Sequence, residues 1–314
     1  MNNWYSRIGA YEQKNNVLTF KGKMDKYVDP QTTEEKQAPS FGIALYNQPF
    51  SNGTISAEVA FKKTDVFICE ILFNYSLIGD IENYILLGIK YDNDDSHPAF
   101  AYASFDGKKY DFISIFGSSS NLKDGEKVKL KVIITGTKIV FYVNEIQAYS
   151  GSIPLPLISS QVGVLCQSSE EIHIYDFKLE TEKPKAFVIM KYEKDYDELF
   201  LDVIEPTCKD KFDVIRADKS YLTGIIIIDI VNQIKEASLV IADVTPDSPN
   251  VFYEVGFSHA LNKPTILLAD KNKRENLPFD IHGFRVIFYE NTIGGKNEIV
   301  QKLKYFMENI NTAS

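Results

Sequence analysis

Asn250, Glu254 and Ser258 recur at intervals of four in a segment otherwise built from Val251, Phe252, Val255, Ala260 and Leu261. On a helix, that spacing gathers the three polar side chains on one face. A carboxylate one turn inside such a helix can stabilise a developing cation or attack it covalently. The segment is entered through Asp243-Val-Thr-Pro-Asp-Ser-Pro-Asn250. Ser248 ahead of Pro249 reads as an N-cap followed by a proline at the first helical position. Gly256 costs about 1 kcal/mol against alanine in a helix interior. Close approach of another backbone or a ligand would explain it, as would simple tolerance.

From about Lys183 onward, strands alternate with helices. Ala186–Met190, Phe212–Arg216, Ser238–Ala242, Pro264–Leu268 and Phe284–Tyr289 read as strands. Lys194–Lys209, Leu222–Ala237, Val251–Leu261 and Lys296–Ile310 read as helices. The alternation implies right-handed crossovers and a parallel sheet of five strands. The strands are uniformly apolar because both sheet faces are covered. In such a sheet ligands sit beyond the carboxyl ends of the strands, where the strand order reverses. Four loops are thereby selected. Met190 ends the first strand and Lys191 and Tyr192 follow it; Arg216 and Asp218 come at the end of the second, Asp243 to Asn250 after the third, and Ala269 to Asp280 after the fourth. Arg216 could meet a phosphate through its planar fork or form an ion pair. Asp243 could orient a ligand hydroxyl or close its own loop as an Asx-turn, and Asp218 could cap the next helix. Asn250 could organise the helix start. Tyr253 or Phe279 could stack a ring. Asp280 shapes its loop, and His259 reads as a structural helix residue. No glycine-rich phosphate loop follows the first strand, which disfavours a hydride-transferring dinucleotide enzyme.

Residues 1–181 have a different period. Gly53–Phe61, Val66–Phe73, Tyr84–Lys90, Val128–Ile134 and Lys138–Val143 read as strands, several alternating apolar with polar. Ser51-Asn-Gly53, Asp92 to Asp95, Asp106-Gly107 and Asp124-Gly125 are the turns between them. Many short strands with regular turns indicate an antiparallel β-sandwich. The charged Glu180–Lys185 stretch reads as a linker to residues 185–314.

The net charge of −9 disfavours a broad nucleic-acid footprint. Three scattered cysteines and four dispersed histidines show no metal-ligand spacing. The N-terminus lacks a basic region followed by an apolar one, and no apolar run is long enough to span a bilayer. A cytoplasmic protein without a membrane or nucleic-acid partner is expected.

Phe187-Val-Ile-Met190, Arg216-Ala-Asp218, Ala242-Asp-Val-Thr245, Asn250 to Leu261, Lys263-Pro264, and Pro278-Phe-Asp280 with Arg285 occur in one order. Together they resemble the bacterial TIR-like family, which is related in fold to nucleoside 2-deoxyribosyltransferases. The resemblance covers nearly all of residues 185–290. It implies a flavodoxin-like α/β domain that hydrolyses the nicotinamide–ribose N-glycosidic bond of NAD, in bacterial antiviral defence. It places the catalytic glutamate at Glu254, with NAD as substrate and no further cofactor. Nicotinamide leaves as a neutral molecule, so a carboxylate near the ribose is the main requirement. Deoxyribosyltransferases usually show Gly-Thr just before the glutamate, where this chain has Val251-Phe-Tyr253. A transferase, and a non-catalytic nucleotide-binding module, remain the alternatives. Residues 1–181 look similar to concanavalin-like or laminin-G-like sandwiches of jelly-roll type. The stretches that carry this likeness are Phe50–Val59, Gly125–Val132, Ile139–Asn144, Gln161–Leu165 and Ile172–Phe177. A sensor or assembly role is expected of this half, with a homo-oligomer and a protein or small-molecule trigger.

Overall fold

The computed structural model describes residues 3–29, 32–62, 66–92, 99–118, 122–154, 156–157, 160–216, 226–274, 284 and 286–309. The chain divides into two compact units. One comprises Met1–Ile134, Ile139–Gly151 and Ser159–Thr181; the other comprises Thr135–Lys138, Ser152–Ile158 and Glu182–Ser314.

The first unit is an antiparallel β-sandwich of an eight-stranded and a seven-stranded sheet. Alternation puts one face of each strand inward. In Asn52–Phe61, Ile55, Ala57, Val59 and Phe61 are buried while the residues between them are half-exposed. The sheets meet through stacked Phe61 and Phe67, 3.9 Å between centroids, and through the edge contact of Phe100 with Phe141. Sequence placed a turn at Ser51–Gly53. In the structure Asn52 and Gly53 already belong to a strand, and Ser51 alone separates it from Glu35–Phe50 of the other sheet. The chain switches sheets there, so no hairpin turn is needed. Asp106-Gly107 is a true turn. Asp106 Oδ1 accepts the backbone N–H groups of Lys108 and Lys109, and Gly107 takes φ +82°. Cys69 and Cys166 face each other across two strands with sulfurs 3.9 Å apart, both buried free thiols.

The second unit contains the parallel sheet. Its strands are, in sequence, Lys185–Ile189, Asp213–Arg216, Ala237–Asp243, Thr265–Asp270 and Val286–Tyr289. Their spatial order is second, first, third, fourth, fifth, with every pairing parallel. Strand order therefore reverses between the first and third strands. Both faces are covered. Ala186, Val188 and Met190 pack with Leu199, Phe200, Ile299 and Leu303 on one side; Phe187 and Ile189 pack with Ile234, Val251 and Val255 on the other. All seven residues of the third strand are buried. Removing a side chain such as Phe187 from water is worth about 1.5–3 kcal/mol.

Two expectations need correction. The Glu180–Lys185 linker shrinks to Lys183-Pro184. Glu180–Glu182 end a strand, Lys185 begins another, and the Pro184 carbonyl accepts the Asp213 N–H at 2.8 Å. Charge marks solvent exposure there, not an absence of pairing. The Lys194–Lys209 helix is interrupted: Lys194–Leu199 and Glu205–Cys208 are α-helical, and Phe200–Ile204 between them is π-helical. Among the described residues no helix is long and apolar enough to cross a membrane.

Candidate functional site

The helix after the third strand runs from Pro249 to Ala260. Ser248 is the N-cap, with extended backbone and Pro249 behind it, but its side chain makes no capping hydrogen bond. Glu254 lies one turn in and is 9% exposed. Burial pushes its carboxyl up to about 7, and no hydrogen bond or opposite charge from a described residue offsets that cost. The polar stripe divides along its length. Asn250 is exposed at the helix entry, whereas Ser258 is buried and donates its hydroxyl to the Glu254 carbonyl at 2.8 Å. Tyr253, 57% exposed, presents its ring to solvent beside them. A Cβ on Gly256 would meet no described atom within 4 Å, so close approach does not explain this glycine.

Asp243 ends the third strand with no exposed surface. Its Oδ1 accepts the Thr245 N–H at 2.9 Å, and its Oδ2 accepts the Tyr289 hydroxyl at 3.2 Å. Burial raises its carboxyl above the ordinary range, against the lowering effect of those hydrogen bonds. Of its two expected roles, this geometry is the Asx-turn. Asp270, at the end of the fourth strand, repeats it: Oδ1 accepts the Asn272 N–H at 2.9 Å.

Arg216 ends the second strand, 5% exposed. It donates to Asp197 at 2.6 Å and to the Met190 sulfur at 3.9 Å. Its guanidinium lies 4.7 Å from the Phe200 ring centroid and 5.7 Å from that of Tyr192. The expected ion pair is thus present, and Met190 and Arg216 come together at the ends of neighbouring strands. Lys191 is exposed and pairs with Glu193 at 2.6 Å. Among the described residues the contacts form two groups, Met190–Arg216–Asp197 and Asp243–Thr245–Tyr289. Glu254 is in neither. Asp218, Phe279 and Asp280 lie outside the described residues. His259 stacks on Phe284 at 3.7 Å, and its buried Nε2 has no partner among the described residues. Lys263, from the Lys263-Pro264 pair, turns away from these loops and donates to the carbonyls of Lys235 and Ala237.

No protein-family model matches this chain, and no curated protein is significantly similar to it. Similar solved structures include the carbohydrate-binding module CBM66 from Bacillus subtilis, with 12% identity over 56% of this chain and 94% of that one, at a TM-score of 0.43. A protein of unknown function with a galectin-like fold from Bacillus subtilis has 9% identity over 55% and 96%, at a TM-score of 0.38. A β-glucanase from Bacillus licheniformis has 10% identity over 57% and 92%, at a TM-score of 0.36. These likenesses assign neither ligand nor activity to this chain.

Sequence reasoning missed Asp197, Asp270, Arg274 and Tyr289. The position of Asp270 matches that of Asp243, an acid closing an apolar strand, and that parallel was a usable signal. For Asp197 and Arg274 no local pattern existed. The sandwich has a groove of its own, about 640 Å³, lined in part by Trp4, Tyr5, Arg7, Asn47, Tyr75 and Gln161. Arg7 in its wall is neutralised by Glu82 at 2.8 Å. Among the described residues no three histidine, cysteine or acidic side chains are grouped to hold a metal.

Proposed function

We propose that the α/β unit is a TIR-like, flavodoxin-like domain that hydrolyses the nicotinamide–ribose N-glycosidic bond of NAD. The observation carrying this reading is Glu254: a buried carboxyl without a described partner, one turn into the helix that leaves the third strand. The third strand borders the reversal in strand order. With its carboxyl near 7, a substantial fraction of Glu254 is ionised at neutral pH. The ionised form can stabilise an oxocarbenium-like ribose or bond to its anomeric carbon as the carbon–nitrogen bond breaks. Nicotinamide departs with the bonding pair as a neutral molecule, so no acid is required. Water then supplies the hydroxyl of the ADP-ribose product and a proton. Desolvation, which raises the carboxyl's pKa, also strengthens its pull on a cationic centre.

Tyr253 and Asn250 are exposed near the helix entry and suited to contact substrate, as is Lys191 after the first strand. Arg216 and Met190 meet at the ends of neighbouring strands with the Tyr192 ring over the guanidinium, and Asp243 fixes the central loop. Phe279, Asp280 and Asp218 complete the proposed set. The sandwich is a sensor or assembly module of a cytoplasmic homo-oligomer in antiviral defence, and restrains an activity that would otherwise consume NAD. The test is nicotinamide release from NAD by the full chain and by Glu254→Gln, with and without extract from phage-infected cells. Equal release by both proteins overturns the reading. Tight NAD binding with no product under any condition replaces it with a non-catalytic nucleotide-binding role.

A further inference from the structure

The Asp243 Asx-turn holds the start of the loop that enters the Glu254 helix, but the helix end itself is weakly restrained. Ser248 gives no side-chain cap, and the first turn contains no acidic residue. Such an end is expected to fray. A residue from another loop reaches across it. The fourth strand ends at Asp270, whose carbonyl accepts the N–H groups of Lys273 and Arg274 at 3.1 and 2.9 Å. With the Asn272 contact to the Asp270 carboxylate, this turn is closed by three hydrogen bonds. It aims Arg274 at the third-strand loop. The side chain is 11% exposed. Nη1 donates to the Thr245 carbonyl at 3.2 Å, and Nη2 lies 3.5 Å from Asp247 Oδ1. The guanidinium carbon stands 5.1 Å from the centroid of the Phe252 ring.

These three contacts bracket Ser248, two before it in sequence and one after. Phe252 is itself two residues from Glu254. A planar fork makes all three contacts at once, which an ammonium cannot. Among the described residues the Nε has no hydrogen-bond partner, a cost the side chain bears while its other groups hold the loop.

We infer that Arg274 is a positioning residue: it ties the fourth-strand loop to the third-strand loop and so sets where the Glu254 helix begins. Its consequence for turnover rests on the glycosidase reading; its consequence for the helix does not.

The test uses the full chain with Arg274→Ala, Arg274→Lys and Asp247→Ala. Asp247 is 92% exposed, so its substitution leaves the fold intact even if Arg274→Ala does not fold. Three quantities are read: hydrogen exchange of amides 247–252, the NMR titration midpoint of the Glu254 carboxyl, and kcat and KM for nicotinamide release. In Arg274→Ala, exchange should quicken about tenfold or more. The Glu254 midpoint should fall from about 7 towards the ordinary glutamate value as water reaches a loosened turn. Turnover should lose about fivefold or more in kcat with little change in KM, because a displaced carboxylate still permits binding. Arg274→Lys and Asp247→Ala should fall between that variant and wild type. Unchanged exchange with an unchanged Glu254 midpoint, in Arg274→Ala or in Asp247→Ala should the first not fold, overturns the inference. Absence of nicotinamide release from wild type overturns the glycosidase alone, and exchange and midpoint then decide the role of Arg274.

Discussion

Each unit buries a carboxyl that no described hydrogen bond relieves and that burial holds well above the ordinary range: Glu70 in the sandwich and Glu254 in the α/β unit. Glu70 is in mid-strand in Val66–Ile78, opposite Gly88 on one side and Leu165 on the other. A Cβ on Gly88 would come within 2.6 Å of the Cys69 carbonyl oxygen and the Glu70 Cα, so the glycine makes room for the backbone of the facing strand. Burial pushes Glu70 up to about 8 despite the opposing effect of Lys90, and its Oε1 has no partner among the described residues. Glu254 reaches about 7 by the same physics. Their positions differ. Glu70 is in the middle of a strand paired on both sides, 4% exposed. Glu254 is one turn from a helix entry, beyond the carboxyl end of the central strand of the parallel sheet. A perturbed acid is therefore not a site by itself. What distinguishes the two is the element carrying each and where that element ends.

Substitution can break this comparison. Glu254→Gln should lower nicotinamide release by about 10²–10⁴-fold, as loss of an essential carboxylate does; Glu70→Gln should leave release near wild type. A large loss from Glu70→Gln, with the fold intact by circular dichroism, would overturn the distinction.

In stability the ranking reverses. Both carboxyls bind protons more tightly folded than unfolded. The stability contributed by the neutral form is full below the unfolded value, near 4.5, and is lost as pH rises through the folded value. The affected window is about 4.5 to 8 for Glu70 and about 4.5 to 7 for Glu254. Urea unfolding should show Glu70→Gln more stable than wild type at pH 9 by up to about 5 kcal/mol, with the gain absent at pH 4. Glu254→Gln should gain up to about 3 kcal/mol over its narrower window. Equal gains at both pH values would mean that packing, not ionisation, sets the cost. Gly256→Ala has the smallest expected effect, a gain of about 0.5–1 kcal/mol in thermal or urea unfolding, because no described atom lies within 4 Å of a Cβ at that position. A loss would show that the helix needs the glycine for close approach after all.

Much of the fold was legible. Alternation in Asn52–Phe61 and the continuous apolar run of Ala237–Asp243 announce a one-faced strand and a doubly covered one. The strand-end rule led to Glu254 and to the ends of the first three strands. Side-chain partners were less legible. Asp243 looked suited to a ligand, yet both its oxygens are taken, one by its own loop and one by Tyr289 on the far strand. Arg216 looked suited to a phosphate and is held by Asp197, 19 residues earlier.

The sequence by itself determined the two periods, the change of architecture near Lys183, the parallel alternation after it, and the placement of Glu254 behind the third strand. Hydrophobic periodicity is local, and a helix or strand reveals its buried face within a few residues. Only the tertiary structure decided which acids and cations neutralise one another, that Glu70 and Glu254 share a chemistry but not a setting, and that Arg274 reaches back 29 residues to the Thr245 carbonyl. Those partnerships depend on strand order and on how loops from different strands converge, and neither is written in the spacing of residues along the chain.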